Sequence, residues 1–215
     1  MKKAIIFDMD GVLIDSEPYY VNSFRQFLQT NNIPITEEQL GKIAGASSEM
    51  IWNMLSNVWT NPMEPAEIRR LYHDTQPKTH LPFKQLLFPG VIETLTALKK
   101  KGYTLALASS SRLDVIQNML EETGTAHFFE HVVSGEMFHE SKPNPEIYLN
   151  VLNLLELQAK DCIAVEDSTY GIQASKKAGI DTIAILDTRY SHDQSLADYI
   201  IENITQLITL DVFPL

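Results

Sequence analysis

Short apolar runs alternate along most of the chain with segments whose apolar residues recur every three or four positions. Short apolar runs bounded by turn residues are typical of strands that are buried on both faces of a sheet. The sequence predicts five such strands, at residues 4–7, 104–108, 132–133, 162–165 and 182–186.

The segments between these runs have the spacing of amphipathic helices. Strands that alternate with helices predict right-handed crossovers and a mostly parallel sheet covered by helices on both faces. The predicted fold class is therefore α/β, with a doubly wound, Rossmann-like sheet. The apolar positions that support these helices are Val91, Leu95 and Leu98, then Val115, Met119 and Leu120, and then Ile147, Val151, Leu154 and Leu155.

Residues 17–83 break this alternation, because they show helical stripes and no convincing strand. Ser16 is a candidate N-cap for the first of these helices, with Pro18 in its first turn. Since the block follows the first strand, we predict an inserted α-helical cap at 17–83 and a core of residues 1–16 and 84–215. The stripes are Val21, Phe24, Phe27 and Leu28, then Ile51, Met54, Leu55 and Val58, and then Ile68, Leu71 and Tyr72.

The composition narrows the choice of partners and location. With 17 basic and 28 acidic residues among 215, the net charge is −11. Duplex nucleic acid and anionic membranes both need clustered basic residues, so neither is an expected partner. The apolar run at the start is interrupted by Asp8 and Asp10 before it reaches the length of a secretion signal, and no run approaches a membrane span. A lone Cys162 in an apolar setting also favours the cytoplasm.

Two acids directly follow the first predicted strand. Asp8 and Asp10 are two positions apart, so on an extended backbone their carboxylates point to the same side. Gly11 then permits the sharp conformation that leaves the strand. Taken alone, this pattern fits a turn or a simple cation site as well as it fits a catalytic pair.

Polar residues also follow three later strands. Ser109 and Ser110 offer hydroxyl and N–H groups that suit phosphate oxygens, although serines here could simply cap a helix. Lys142 stands before a proline-stiffened helix start, where a solvated lysine is the ordinary alternative. Glu166 and Asp167 end another strand, a frequent composition for a helix N-terminus. The carboxyl ends of parallel strands share one edge of a sheet, so all these groups are predicted to meet there.

This order of motifs resembles the haloacid dehalogenase superfamily of phosphohydrolases and phosphomutases. The resemblance covers the whole chain, and four motifs in one order are highly specific. The sequences that carry it lie at residues 8–17, 107–109, 142–143, 165–168 and 174–180.

The resemblance implies the chemistry of a small phosphate ester, with a sugar phosphate favoured as the substrate. Asp8 would be the nucleophile that becomes phosphorylated, and Asp10 the general acid and then the general base. Ser109, the N–H of Ser110, and Lys142 would hold the phosphate oxygens.

The resemblance also implies a Mg²⁺ cofactor, which suits a site of oxygen ligands. The side chain of Asp8, the backbone carbonyl of Asp10 and the carboxylate of Asp167 would bind the ion. Glu166 would bind it as well or hold water bound to it.

Within the superfamily, the cap type is most similar to the β-phosphoglucomutases and their sugar-phosphatase relatives. Those mutases carry an arginine in a cap loop, and the matching loop here, residues 45–49, has no arginine. They also carry a histidine at the position where this chain has Tyr20. Arg69 or Arg70 could supply cap charge instead, although a solvated helix face is the ordinary role for both. A phosphatase is therefore favoured over a mutase. The expected oligomeric state is a monomer.

Two interpretations from other classes stay open. A phospho-receiver domain uses similar groups on a similar sheet, but it needs an aspartate on a later strand, and residues 132–135 have none. The chain is also too long for that class. A non-catalytic binding protein on the same scaffold would tolerate the loss of Asp8, Asp10 or Lys142, and all three are present.

Overall fold

A six-stranded parallel sheet lies at the centre of the described part of the chain. The computed structural model describes residues 2–44, 46, 48–75, 81–190 and 192–210. The strands are β1 (Ala4–Phe7), β2 (Thr104–Ser109), β3 (His131–Ser134), β4 (Cys162–Glu166), β5 (Asp181–Ile185) and β6 (Tyr199–Ile201). Their order is β3-β2-β1-β4-β5-β6, and every neighbouring pair is parallel.

The five predicted strands are confirmed, each to within one residue at either end. The sixth strand, β6, was not predicted, because it has three residues and two of them, Tyr199 and Ile200, are exposed. Such a strand at the edge of a sheet lacks the continuous apolar run of a strand that is buried on both faces.

Helices fill the intervals between the strands. In chain order they are α1 (Glu17–Thr30), α2 (Glu37–Gly41), α3 (Ser48–Val58), α4 (Pro65–Thr75), α5 (Phe83–Leu86), α6 (Val91–Lys100), α7 (Leu113–Thr123), α8 (Glu146–Leu155) and α9 (Thr169–Lys177). None of the helices described is both long and apolar enough to cross a membrane.

The two faces of the sheet carry different side chains. Ile5 and Phe7 of β1 face a cluster that includes residues of α5, α6 and α7. Ala4 and Ile6 face the other cluster, which α8 and α9 cover. Small residues predominate among the strand positions of this second face. Tyr148 of α8, the largest fully buried side chain among the described residues, packs there. The sheet is thus doubly wound, as predicted.

The buried face of α8 differs from the predicted stripe. Ile147 and Val151 are buried as expected, but the other buried positions are Tyr148 and Leu152, while Leu154 is 43 % exposed. Apolar residues occupy both sides of this helix, so their spacing alone cannot decide which side faces the sheet.

Helices α1 to α4 surround an apolar cluster of their own. Its buried side chains include Phe27, Leu55 and Ile68, and the rings of Phe24 and Tyr72 stack with centroids 4.7 Å apart. The helical character predicted for this part of the chain is confirmed. The division into a core and a cap stays a prediction, and residues 76–80 of the predicted cap lie outside the described part.

Candidate active site

The predicted site residues lie at the carboxyl ends of the central strands. Asp8 directly follows β1, which pairs with β2 on one side and with β4 on the other. Glu166 is the last residue of β4, and Asp167 follows it. Between β1 and β4 the strand order reverses direction, which is where ligands bind in open α/β sheets. The topology therefore brings these three acids together.

Lys142 forms hydrogen bonds to two of these three acids. Its ammonium donates to Oδ1 of Asp8 at 2.8 Å, to Oε1 of Glu166 at 2.7 Å and to the carbonyl of Ala108 at 3.0 Å. The side chain is only 6 % exposed. Burial alone would lower the pKa of Lys142, but the carboxylates of Asp8 and Glu166 outweigh it and raise the pKa above its ordinary value. Lys142 is therefore a fixed cation and not a solvated surface lysine.

Asp8, Glu166 and Asp167 form a buried cluster that suits a divalent cation. One carboxylate oxygen from each lies within 4.8 Å of the others. Burial, and then the charges of Asp8 and Glu166, raise the pKa of Asp167. Oε2 of Glu166 is buried and has no hydrogen-bond partner among the described residues. All the donors are oxygen atoms, the ligands that Mg²⁺ prefers, so these residues fit the ion.

Two glycines make room for these carboxylates. At Gly11, where φ is +73°, a Cβ atom would lie 2.0 Å from Oδ2 of Asp167. At Gly171, in the first turn of α9, a Cβ atom would lie 2.0 Å from Oε2 of Glu166. The predicted sharp conformation at Gly11 is confirmed. Any larger residue at either position would displace an acid of the cluster.

Asp10 is held by two hydroxyl groups. Ser16 donates to its Oδ1, and Ser111 donates to its Oδ2 at 2.7 Å. Burial, followed by the charge of Asp8, raises the pKa of Asp10 to about 6. Ser16 occupies the N-cap position of α1, as predicted, but its side chain makes no capping hydrogen bond. Its hydroxyl donates to Asp10 instead.

The serines after β2 do not cap α7. The N-cap residue is Arg112, without a side-chain capping bond, so these serines do not have the capping role that was their ordinary alternative. Ser109 is fully buried, and its Oγ accepts the N–H of Ser111 at 3.0 Å. Ser110 is exposed, and its hydroxyl accepts a bond from Ser141 at 3.3 Å. Ser109 therefore orders the loop, while Ser110 lies at its open side.

Three residues that contact the site were missed in the sequence. Tyr148 donates to Oε1 of Glu166, and Ser111 donates to Asp10. Gln194 donates from Nε2 to the backbone carbonyl of Asp167 at 2.5 Å. Ser111 belongs to the serine run, whose position already pointed to the site. The other two come from elements whose packing cannot be inferred from spacing alone.

Comparison with known proteins supports the motif analysis. The family model of haloacid dehalogenase-like hydrolases matches residues 5–185. The chain therefore belongs to this family, and the predicted superfamily is confirmed.

Individual relatives include phosphatases and a mutase. The chain is 34 % identical to a phosphorylated carbohydrates phosphatase of Thermotoga maritima, over 84 % of this chain and 83 % of that protein. It is 28 % identical to the β-phosphoglucomutase of Bacillus subtilis, over 85 % of this chain and 83 % of that protein. The crystal structure of CbbY from Rhodobacter sphaeroides, in complex with phosphate, has the same fold, with a TM-score of 0.76, 23 % identity and 96 % of each chain covered.

Proposed function

We propose that this enzyme is a phosphatase that hydrolyses small phosphorylated metabolites, with sugar phosphates as the favoured class. The family membership and the phosphatase of Thermotoga maritima support the reaction type and the substrate class. The observation that carries the proposal is the buried group of Asp8, Lys142, Glu166 and Asp167 at the reversal point of the sheet.

Charge neutralisation is the first requirement of the reaction. A carboxylate that approaches a phosphate ester meets repulsion from the negative oxygens. Lys142 supplies one fixed positive charge next to Asp8. Asp8, Glu166 and Asp167 would hold Mg²⁺, together with the carbonyl of Asp10. The bound ion would supply Lewis-acid stabilisation of the charge on the phosphoryl oxygens.

Asp8 is the proposed nucleophile, because its carboxylate lies at the strand end beside Lys142. It would attack phosphorus in line with the leaving oxygen and form an aspartyl-phosphate. Ser109, the N–H of Ser110, and Lys142 would hold the non-bridging oxygens of the phosphoryl group. In this role Lys142 would exchange its bond to Asp8 for one to the phosphoryl group.

Asp10 is the proposed general acid. Its raised pKa keeps a substantial protonated fraction near pH 6, so it can give a proton to the leaving oxygen. The hydroxyls of Ser16 and Ser111 fix the carboxylate. After the leaving group departs, the same carboxylate would take a proton from the water that cleaves the aspartyl-phosphate.

The helical unit of α1 to α4 is proposed to act as the lid that selects the substrate. A cavity of about 500 Å³ separates α3 from the loop that carries Lys142. On the α3 side, Glu49, Met50 and Asn53 line it among the described residues. Among its described residues this wall has a carboxylate and no cation, so it disfavours a second phosphate group on the substrate. The mutase loop at 45–49 cannot be compared in full, because Gly45 and Ser47 lie outside the described residues.

A phosphosugar mutase is the second candidate, supported by the relative from Bacillus subtilis. A mutase needs to grip a bisphosphorylated sugar at both ends, which calls for positive charge on the lid. The position of Glu49 favours hydrolysis over this alternative. We also propose a monomeric, cytoplasmic enzyme, on the basis of the net charge of −11 and the lone Cys162.

A panel of phosphate esters tests the proposal. Purified wild type with Mg²⁺ is expected to release inorganic phosphate from hexose and pentose phosphates. Asp8→Asn is expected to lower turnover at least about a thousandfold, while the exposed control Asp74→Asn keeps it. Undiminished phosphate release by Asp8→Asn would overturn the assignment of the nucleophile.

The same panel separates hydrolysis from isomerisation. It includes β-glucose 1-phosphate with its bisphosphate activator, and both inorganic phosphate and glucose 6-phosphate are measured. Formation of glucose 6-phosphate without phosphate release would make the enzyme a mutase.

A further inference from the structure

Tyr148 makes a polar contact that packing alone does not require. It lies on α8, is fully buried and faces the sheet across small side chains. Its hydroxyl donates to Oε1 of Glu166, the same oxygen that receives the ammonium of Lys142. The Lys142 ammonium also lies 5.3 Å from the centroid of the tyrosine ring. A phenylalanine would fill the same space but would leave this oxygen with one donor fewer.

The two oxygens of Glu166 have different surroundings as a result. Oε1 accepts two hydrogen bonds, whereas Oε2 is buried without a partner among the described residues. A carboxylate that is tied at one oxygen cannot rotate freely to exchange the two. The second oxygen is thereby left available as a ligand.

Gly171 supports the same arrangement from the opposite side. Glycine within a helix costs about 0.5–1 kcal/mol relative to alanine. A Cβ atom here would nevertheless lie 2.0 Å from Oε2 and 2.2 Å from Cδ of Glu166. The glycine has an ordinary helical backbone, so the space for Glu166 is what requires it.

We propose that Tyr148 and Gly171 are positioning residues, which together hold Glu166 in the orientation that binds the divalent cation. Tyr148 ties one oxygen, and Gly171 leaves room for the other. The inference rests on the proposed function only for the identity of the cation, because the binding of Mg²⁺ can be measured without any substrate.

Tyr148→Phe tests the hydrogen bond directly. Calorimetric titration of the substrate-free protein with Mg²⁺ is expected to give an affinity about 10- to 100-fold weaker than wild type. Tyr103→Phe is the matched control, since Tyr103 is also buried but precedes β2 at the amino end of the sheet. The control is expected to bind Mg²⁺ like wild type. Wild-type affinity in Tyr148→Phe would overturn the proposal for Tyr148.

Gly171→Ala tests the space, and remains informative if Tyr148→Phe does not fold. The expected result is a loss of Mg²⁺ affinity of about tenfold or more. Gly41→Ala in α2 is the control, because no atom of the described residues lies within 4 Å of a Cβ atom there. If Gly171→Ala binds the ion like Gly41→Ala, the proposed role of Gly171 is wrong.

Kinetics distinguish a positioning role from general damage. With saturating Mg²⁺, Tyr148→Phe is expected to recover most of the wild-type kcat, because the ion compensates for the weaker site. A kcat that stays low at every Mg²⁺ concentration would contradict the proposal. If wild type hydrolyses no ester at all, the proposed function fails, whereas the titration still decides the role of Tyr148.

Discussion

Asp10 shows how neighbouring groups set the state of a single residue. Its carboxylate accepts hydrogen bonds from Ser16 and Ser111, yet burial and the nearby Asp8 still raise its pKa to about 6. The folded protein therefore binds a proton at Asp10 more tightly than the unfolded chain does. The contribution of this group to stability is complete below about pH 4 and is lost as the pH rises through 6.

Asp10→Asn should separate activity from stability. Without the acid, kcat is expected to fall by about 10²- to 10⁴-fold. At pH 8 and without divalent ions, the variant should unfold at a higher temperature than wild type, because it buries no charge at this position. The difference should shrink as the pH is lowered from 8 to 5. Thermal unfolding followed by circular dichroism measures both, and a variant that is less stable at pH 8 would contradict the assigned pKa.

The site residues that could be predicted are those whose position follows from topology. Asp8, Glu166 and Asp167 end parallel strands, so the sheet itself brings them to one edge. Tyr148 and Gln194 could not be predicted in this way. Tyr148 reaches the site across a helix–sheet interface, and Gln194 from a loop, so both depend on packing that the local pattern does not specify.

At the scale of elements, the chain segment between β1 and α1 is hydrogen-bonded to the loop that follows β5. Arg189, which follows β5, donates from both terminal nitrogens to Asp15, at 3.0 and 2.8 Å, and also binds Asp187. The next residue, Tyr190, packs against the apolar cluster of α1 to α4. The loop after β5 thus contacts both the segment that leads into α1 and, through Tyr190, the helical unit itself.

Arg189→Gln should change how the helical unit moves. Removal of this paired contact is expected to alter kcat/KM about three- to tenfold, because lid closure often limits turnover. The unfolding temperature should change little, since the pair is partly exposed. Arg25→Gln, which breaks an exposed ion pair with Glu37 within the helical unit, is the control. Equal kinetic effects in the two variants would argue against a role for the Arg189 contact.

The wall of the cavity on α3 gives a second prediction at this scale. Glu49→Arg replaces a carboxylate with a bidentate phosphate-binding group. The KM for a bisphosphorylated sugar is expected to fall several-fold, while the KM for a monophosphate stays within about twofold. Glu67→Arg on α4 adds the same charge away from this cavity. A similar change in both variants would indicate a non-specific charge effect.

The elements themselves follow the sequence in most places. Strands buried on both faces, such as β1 and β4, appear as continuous apolar runs, and α1 has one clean apolar stripe. The pattern fails where burial is incomplete or ambiguous. The edge strand β6 exposes two consecutive residues, Tyr199 and Ile200, and α8 has leucines on two faces.

For the whole molecule, the acidic cluster is a source of instability that an ion can relieve. Three buried carboxylates face one ammonium, so charge repulsion remains in the protein without a cation. An ion that binds only the folded state adds stability by mass action, about 2.7 kcal/mol at a concentration of 100 Kd. Mg²⁺ should therefore raise the unfolding temperature, and an excess of chelator should lower it again.

Asp167→Asn provides the control for this effect. In this variant the unfolding temperature should no longer depend on Mg²⁺. Without the ion, the variant should unfold at a higher temperature than wild type, because one buried charge is removed. Potassium chloride at equal ionic strength corrects for screening. An equal rise in wild type and Asp167→Asn would show that the ion binds elsewhere.

The central position of β1 in the sheet has a consequence for folding during synthesis. Ala4 pairs with Thr104 and with Cys162, which are 100 and 158 positions further along the chain. During synthesis, one edge of β1 stays unpaired until β2 has been made, and the other edge stays unpaired until β4 has been made. Such distant pairing makes folding slow and leaves unpaired strand edges exposed to other chains. A nascent fragment that stops before β4 would be prone to aggregate and would lack two of the three clustered acids.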